Sequence, residues 1–304
     1  MRRNIWAVAV IFLVVFTLVI GSAVSSSDTR DIDPKETTTK EPTTKKEETT
    51  KETTTEKTSE EETDEESTTT EPEETTSKVP AVTREIDKTK KMVCLTFDDG
   101  PYKENTTALL DLVEQYPGTA VTFFELGRLM DEEPEIIQRE EALGCEVGAH
   151  SYVHKRLSEI SAAQIREDFE KQQETFRRIL GHDITVYRPP YGRMNSDVHE
   201  QIGAPLIIWT IDTLDWKYDD TQTLIDTIKK EGADGALDGK VVLMHSSKKS
   251  TVEAMKTIFP WLLDEGYQLV TVTEMAEIGY DTKMEAGKDY GYRFFKGREP
   301  ADGE

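Results

Sequence analysis

Short apolar segments of strand character alternate with segments of helical character from residue 92 to residue 272. In the helical segments apolar residues recur three or four positions apart, as Phe176 and Ile179 do. This alternation is typical of a parallel α/β architecture, because parallel strands need a long crossover, which is usually a helix. The predicted strands are 92–97, 120–124, 145–149, 184–187, 206–211, 241–244 and 268–272. The predicted helices are 105–115, 135–143, 162–180, 196–202, 221–231 and 252–263.

An open doubly wound sheet and a closed barrel both fit this alternation. Polar residues follow five of the seven predicted strands, and a barrel assembles its site from many loops at the carboxyl ends of its strands. We therefore favour the barrel. The five polar segments are Asp98-Asp99, His150, Arg188-Pro189-Pro190-Tyr191-Gly192, Asp212-Thr213-Leu214-Asp215-Trp216 and His245.

The amino-terminal part of the chain predicts export. Arg2 and Arg3 precede residues 5–23, which carry no charge. This stretch is close to the roughly 20 residues that span a bilayer, and small residues follow that could form a processing site. We expect residues 1–25 to be a membrane anchor or a signal peptide, with the rest of the chain outside the cytoplasm.

Residues 26–80 consist mainly of Thr, Glu and Lys and contain no aromatic residue. Such a segment cannot bury a core, so we expect a disordered linker, extended by its acidic charge. We assign residues 81–280 to one globular domain and residues 281–304 to a polar tail. The formal net charge of −23 argues against nucleic acid as a partner. We expect Cys94 and Cys145 to be buried thiols rather than a disulfide, because both lie in apolar strands.

The aspartate doublet Asp98-Asp99 predicts a metal site. Adjacent carboxylates repel each other unless a cation lies beside them. His150 and His154 are four residues apart, a spacing that one helical turn places on a common face. Each feature alone has a structural explanation, as a capped turn or an exposed helical turn. Together, Asp and two His form a ligand set suited to a divalent metal such as zinc.

Five segments together resemble the polysaccharide deacetylases of the NodB-homology group, carbohydrate esterase family four. The resemblance covers nearly all of the globular part. It implies a distorted parallel (β/α) barrel with about seven strands, a divalent metal, and hydrolysis of N-acetyl groups on a β-linked amino-sugar polymer. The segments are Thr96-Phe97-Asp98-Asp99-Gly100-Pro101, His150-Ser151-Tyr152-Val153-His154, Arg188-Pro189-Pro190-Tyr191-Gly192, Asp215-Trp216 and Leu243-Met244-His245.

Amide hydrolysis needs an activated water, a stabilised oxyanion and a proton for the departing amine. We expect Asp99, His150 and His154 to hold the metal, most naturally zinc, with cobalt and nickel left open. Asp98 is then the general base, and Arg188 pairs with it and keeps it ionised.

The remaining roles belong to the later segments. We expect His245 to be the general acid, with Asp215 holding it, or a nearby cation, in the right protonation state. Trp216 and Leu243 are candidates for a small apolar slot around the acetyl methyl group, although either could be core. The resemblance implies that the backbone N–H of Tyr191 is an oxyanion donor.

The expected substrate is N-acetylglucosamine of peptidoglycan, and the expected location is the cell membrane, by a single span, or outside the cell. Asp98 favours glucosamine-type substrates, because a branch acting on muramic residues has Asn there. Chitin oligomers, poly-N-acetylglucosamine, acetylxylan and a non-catalytic carbohydrate-binding wall module remain alternatives. The family often has Asp after the last His, whereas Ser246-Ser247-Lys248-Lys249 follows here.

Overall fold

The computed structural model describes residues 84–291 and Phe295. The predicted anchor or signal segment, the predicted linker and, apart from Phe295, residues 292–304 of the predicted tail lie outside these described residues. Within the described part, no helix combines the length and the apolar character needed to cross a membrane.

Every strand pair is parallel, which confirms the predicted α/β class. The larger sheet has the order β3-β2-β1-β6-β5, and β7 pairs with the first residues of β1. The small strands β4 and β8 pair with each other. The strands are β1 Lys91–Asp98, β2 Thr122–Glu125, β3 Glu146–Ala149, β4 Leu206–Ile207, β5 Ile211–Asp212, β6 Lys240–His245, β7 Tyr267–Leu269 and β8 Asp289–Tyr290.

All six predicted helices are present, with ends shifted by three residues or fewer. The longest, α4, begins at a capping box of Ser161 and Gln164 and ends at Gly181, whose φ is +76°. The prediction missed α2, whose six residues are too few to show a helical period, and the short α8. The helices are α1 Lys103–Gln115, α2 Gly127–Glu132, α3 Pro134–Ala142, α4 Ala162–Leu180, α5 Ser196–Gln201, α6 Thr221–Glu231, α7 Lys249–Asp264 and α8 Val272–Glu274.

The strand predicted at 184–187 is wrong as a regular strand. Only Tyr187 pairs, through isolated bridges to Ala149 and Leu206. The strand predicted at 206–211 is divided into β4 and β5. Its first residues pair with Tyr187 and β8, whereas its last residues pair with β6, so the chain leaves one ladder and joins another.

Two further differences concern the carboxyl-terminal part. The strand predicted at 268–272 ends at Leu269, because Thr271 and Glu274 form a capping box that begins α8. The sequence did not predict β8, which lies in the segment expected to be a tail. Tyr290 of this strand is buried in the core.

The two faces of β1 pack against different surroundings. Val93, Leu95 and Phe97 pack in a cluster with apolar residues of α1, α6 and α7. The alternate residues Met92 and Cys94 belong to a second cluster with residues such as Val241 and Ile207. Strand alternation continues this second face through Thr96 to Asp98, so the inner face changes from apolar to polar at the carboxyl end of the strand.

Both cysteines are buried and free, as predicted.

Candidate active site

Backbone conformation separates the two members of the aspartate doublet. Asp98 is the last residue of β1 and is buried on its inner face. Asp99 has a φ of +73°, a left-handed conformation that ends the strand. Its side chain therefore does not follow the strand alternation, and its Oδ1 lies 3.2 Å from Nε2 of His154 and 3.5 Å from Nε2 of His150.

His150 and His154 are adjacent, but the expected helical turn is wrong. Residues 150–156 form a loop in which Ser151 and His154 have φ values of +68° and +61°. The loop folds back so that the two imidazole centroids are 5.0 Å apart. The backbone N–H of His150 donates to the carbonyl of Glu125 at 2.9 Å, which fixes the start of the loop to the end of β2.

The cluster of Asp99, His150 and His154 fits a divalent metal. One donor atom from each residue lies within 4.8 Å of the others, and Asp99 Oδ1 is buried without a hydrogen-bond donor in the described structure. Nδ1 of His150 donates to the Arg188 carbonyl at 2.7 Å, which leaves the Nε2 lone pair facing the cluster. Burial lowers the pKa of His150 to about 3, so the imidazole is neutral, as a metal ligand must be.

Asp98 forms a buried ion pair with Arg188, as predicted. Nη1 of Arg188 donates to Asp98 Oδ1 at 2.6 Å and to Thr96 Oγ1 at 2.8 Å. The other carboxylate oxygen, Oδ2, lies 3.7 Å from Nε2 of His150 and so faces the metal-ligand cluster. Burial raises the pKa of Asp98 and outweighs the opposing effect of Arg188, so this carboxylate has more affinity for a proton than an ordinary Asp.

His245 is directly opposite Asp98 in the β1–β6 register. Its Nδ1 donates to Asp215 Oδ1 at 2.7 Å, and its backbone N–H donates to Asp215 Oδ2 at 2.7 Å. Burial lowers the pKa of His245, but the hydrogen bond and charge of Asp215, together with the charges of Asp98 and Asp99, raise it by more, so the net pKa is above its ordinary value. Asp215 therefore fixes the orientation of this ring and favours its protonated form.

The three remaining predicted residues lie around this pair. Tyr191 has a φ of +61°, and its exposed ring meets the His154 ring edge-on with centroids 4.7 Å apart. Leu243 is buried two residues before His245, on the same face of β6. Trp216 is exposed, and its Nε1 donates to Asp212 Oδ1 at 3.3 Å. Leu243 is therefore part of the buried interior beneath the site, whereas Trp216 lies at the exposed edge of the site.

Comparison with known proteins identifies the family. A family model described as polysaccharide deacetylase matches residues 85–206. A peptidoglycan-N-acetylglucosamine deacetylase of Bacillus cereus is 30% identical over 202 residues, which cover 64% of this chain and 92% of that protein. This chain belongs to the polysaccharide deacetylase family. The family predicted from the five segments is therefore confirmed.

Two other similar proteins extend the comparison. The peptidoglycan-N-acetylglucosamine deacetylase PgdA of Listeria monocytogenes is 37% identical over 213 residues, which cover 70% of this chain but only 43% of that protein. The chain thus spans less than half the length of this relative. The structure of the peptidoglycan deacetylase PdaC from Bacillus subtilis aligns with a TM-score of 0.61 and 33% identity, over 64% of this chain and 95% of that one.

The sequence analysis missed three residues that support the candidate site. Thr96 accepts a hydrogen bond from Arg188. Its position two residues before Asp98 places it on the same strand face, and this could have indicated the contact. Thr251 donates to Asp215 Oδ2 at 2.8 Å, a contact between distant segments that no local pattern indicates. Ser246 donates from Oγ and from its backbone N–H to the Asp98 carbonyl, at 3.2 and 3.0 Å, and so joins the ends of β1 and β6.

Proposed function

We propose that this chain is a metal-dependent hydrolase that removes N-acetyl groups from an amino-sugar polymer, with N-acetylglucosamine of peptidoglycan as the first substrate. One observation carries the proposal. A buried Asp98 with a raised pKa and an Asp215-bonded His245 lie side by side on paired strands, next to the cluster of Asp99, His150 and His154. This arrangement provides a base, an acid and a metal site at the carboxyl ends of neighbouring strands.

Asp99, His150 and His154 would hold the metal, and zinc is the first candidate for their one oxygen and two nitrogen donors. When bound, the metal supplies Lewis-acid polarisation of the acetyl carbonyl. Arg188 holds Oδ1 of Asp98, so Oδ2 is the oxygen that takes the proton from the attacking water. The raised pKa of Asp98 favours this transfer.

The attack of water on the acetyl carbon must be followed by cleavage of the C–N bond. His245 gives its proton to the departing nitrogen, so the products are acetate and a free amine on the sugar. Asp215 keeps Nδ1 of His245 bonded, which leaves Nε2 as the proton-donating atom. The backbone N–H of Tyr191 serves as an oxyanion donor, and Leu243 and Trp216 contact the acetyl methyl group.

The scaffold and the location are part of the same proposal. Residues 206–212 pair with Tyr187 at their start and with β6 at their end. This continuous pairing supports a distorted barrel whose strand ends surround the site. The apolar residues 5–23 support a membrane-anchored or secreted enzyme. The names of the Listeria and Bacillus cereus relatives support peptidoglycan, reached outside the cell, as the polymer.

Acetate release from peptidoglycan, chitin oligomers and acetylxylan, measured side by side, tests this function. We expect turnover to be fastest on peptidoglycan, to stop with a chelator and to return when zinc is added. Faster turnover on acetylxylan would contradict the substrate assignment. Binding of glycan without acetate release, with metal present, would indicate a non-catalytic carbohydrate-binding module instead.

A further inference from the structure

The exposed apolar side chains of this protein are gathered at one rim. Among the described residues, every large apolar side chain that is exposed lies in one of four loops. Three of these loops follow the carboxyl ends of β1, β3 and β5, and the fourth follows Tyr187. The side chains are Tyr102, 39% exposed, Val153, 42%, Tyr191, 49%, Trp216, 53%, and Tyr218, 46%. These loops also carry Asp99, His154 and Asp215. A group of exposed apolar residues at one site marks a binding surface, and four of these five are aromatic.

Tyr102 and Tyr218 have no part in the chemistry described above, yet both stand on fixed backbone. The N–H of Tyr102 donates to Thr106 Oγ1 at 2.8 Å, and its carbonyl accepts from the N–H of Thr106 at 2.7 Å. The N–H of Tyr218 donates to the Leu214 carbonyl, and its own carbonyl accepts from Asp220, each at 2.9 Å. Each ring is therefore exposed on a backbone that is already ordered, which reduces the entropy lost when a ligand binds.

The two tyrosines lie on opposite sides of His245. In the sheet order, β6 lies between β1 and β5, so the loop carrying His245 lies between the loops of Tyr102 and Tyr218. Side chains at the starts of the following helices connect neighbouring segments. Asn105 of α1 donates to the Ser246 carbonyl, next to His245, at 3.0 Å, and Thr221, the first residue of α6, donates to the Ser250 carbonyl in the first turn of α7 at 3.2 Å.

We propose that Tyr102 and Tyr218 bind the sugars on either side of the one that loses its acetyl group. This inference rests on the proposed function and adds where the polymer lies on the surface. The flat carbon–hydrogen face of a sugar packs on an aromatic ring, and each phenol hydroxyl can bond to a sugar hydroxyl. A β-linked chain of amino sugars passing over His245 thus contacts one ring before the reacting sugar and the other ring after it.

The test compares Tyr102→Ala and Tyr218→Ala with the matched variants Tyr102→Phe and Tyr218→Phe. The value of kcat/KM is measured on β-linked N-acetylglucosamine dimer, trimer and pentamer. We expect each alanine variant to lose about 3- to 10-fold on trimer and pentamer, the factor that one aromatic contact supplies. The loss on the dimer is smaller, because a dimer can occupy the other flank. The phenylalanine variants keep the ring and stay within about twofold of the wild type.

Thermal melting checks that each variant is folded, and an exposed ring contributes little to stability. Loss of kcat/KM by the same factor on every oligomer, or no loss on any, would overturn the inference. So would a phenylalanine variant as impaired as its alanine counterpart. Each of these results leaves the proposed function intact if the wild type still releases acetate. Absence of acetate release by the wild type on every oligomer and on peptidoglycan would instead refute the function itself.

Discussion

At the scale of single residues, the backbone gives two identical neighbours different surroundings. Asp98 keeps a strand conformation and is held by Arg188 inside the molecule. Asp99, at a φ of +73°, leaves the strand and meets His150 and His154. The two carboxylates therefore have separate duties in the proposed mechanism, and substitution of each should affect a different step.

Replacing Asp98 by Asn should remove the base without removing a metal ligand. We expect kcat on N-acetylglucosamine oligomers to fall by about 10²- to 10⁴-fold, the usual contribution of a general base. The zinc content of the purified protein, measured by atomic emission, should be unchanged. The matched variant His154→Ala should lose zinc and activity together. Loss of zinc from Asp98→Asn would show that Asp98 is itself a ligand and would contradict the division of roles.

Replacing Asp215 by Asn should move the pH dependence of the reaction. A general acid works only while protonated, so the pKa of His245 sets the alkaline limb of the profile of kcat/KM. Burial lowers this pKa and Asp215 raises it, so without the Asp215 charge the limb should move to lower pH. Thr251→Val removes a donor to Asp215 but keeps the Asp215 charge, so it is the matched control and its alkaline limb should stay close to that of the wild type. An alkaline limb that does not move in Asp215→Asn would argue against His245 as the acid.

At the scale of elements, β2 and α3 meet through two buried carboxyl groups. Glu125 ends β2, Glu140 lies on the inner side of α3, and both are fully buried. No other hydrogen-bond donor of the described structure reaches their carboxylate oxygens. They can bond only to each other, and only while one of them is protonated. Burial raises the pKa of Glu125 to about 8, and burial together with the charge of Glu125 raises that of Glu140.

This pair should make stability fall as pH rises. The unfolded chain loses these protons near pH 4.5, whereas the folded protein keeps at least one until about pH 8. The folded state therefore binds more protons in this window, and the free energy of unfolding decreases as pH increases through it. The side-chain amide of Gln in Glu140→Gln can still donate to Glu125. We expect this variant to lose about 1 to 3 kcal/mol less unfolding free energy than the wild type between pH 4.5 and about pH 8.

Melting temperatures across this pH range provide the measurement. Glu135→Gln, at an exposed position of the same helix, is the matched control and should keep the wild-type dependence. A wild-type stability that does not change across the window would contradict a shared proton between β2 and α3.

At the scale of the whole molecule, the proposed site belongs entirely to the described residues 84–291. All the residues to which we assign a catalytic or metal-binding role lie within this part, as do Tyr102 and Tyr218. The preceding Thr-, Glu- and Lys-rich residues 26–80 are proposed to act only by positioning the domain relative to the envelope.

A variant lacking residues 26–80 tests this separation. We expect its kcat/KM on soluble N-acetylglucosamine oligomers to match that of the full chain within about twofold, since no catalytic group is removed. Deacetylation of peptidoglycan in intact cells expressing the variant should decrease, because a shorter connection limits reach. An equal loss on soluble oligomers would show that the segment contributes to the site or to folding.

Local sequence patterns determined the helices and the longer strands. The spacing of apolar residues predicted α4 and α6 with their observed ends, because helix periodicity and capping act within a few residues. It also predicted β1, β3 and β6 to within two residues. It failed at β4, β5 and β8, where two-residue strands depend on partners distant in the chain and have no period of their own.

The sequence by itself predicted the charged and imidazole side chains of the candidate site, since the five segments follow strands whose ends meet at one face of a parallel sheet. Only the tertiary structure decided how they are used. The turn at Asp99, the loop that brings His154 back to His150, and the contacts of Thr251 and Glu140 all join positions that local spacing does not relate. Local propensities act over a few residues, whereas such contacts form only when the packed sheet brings distant segments together.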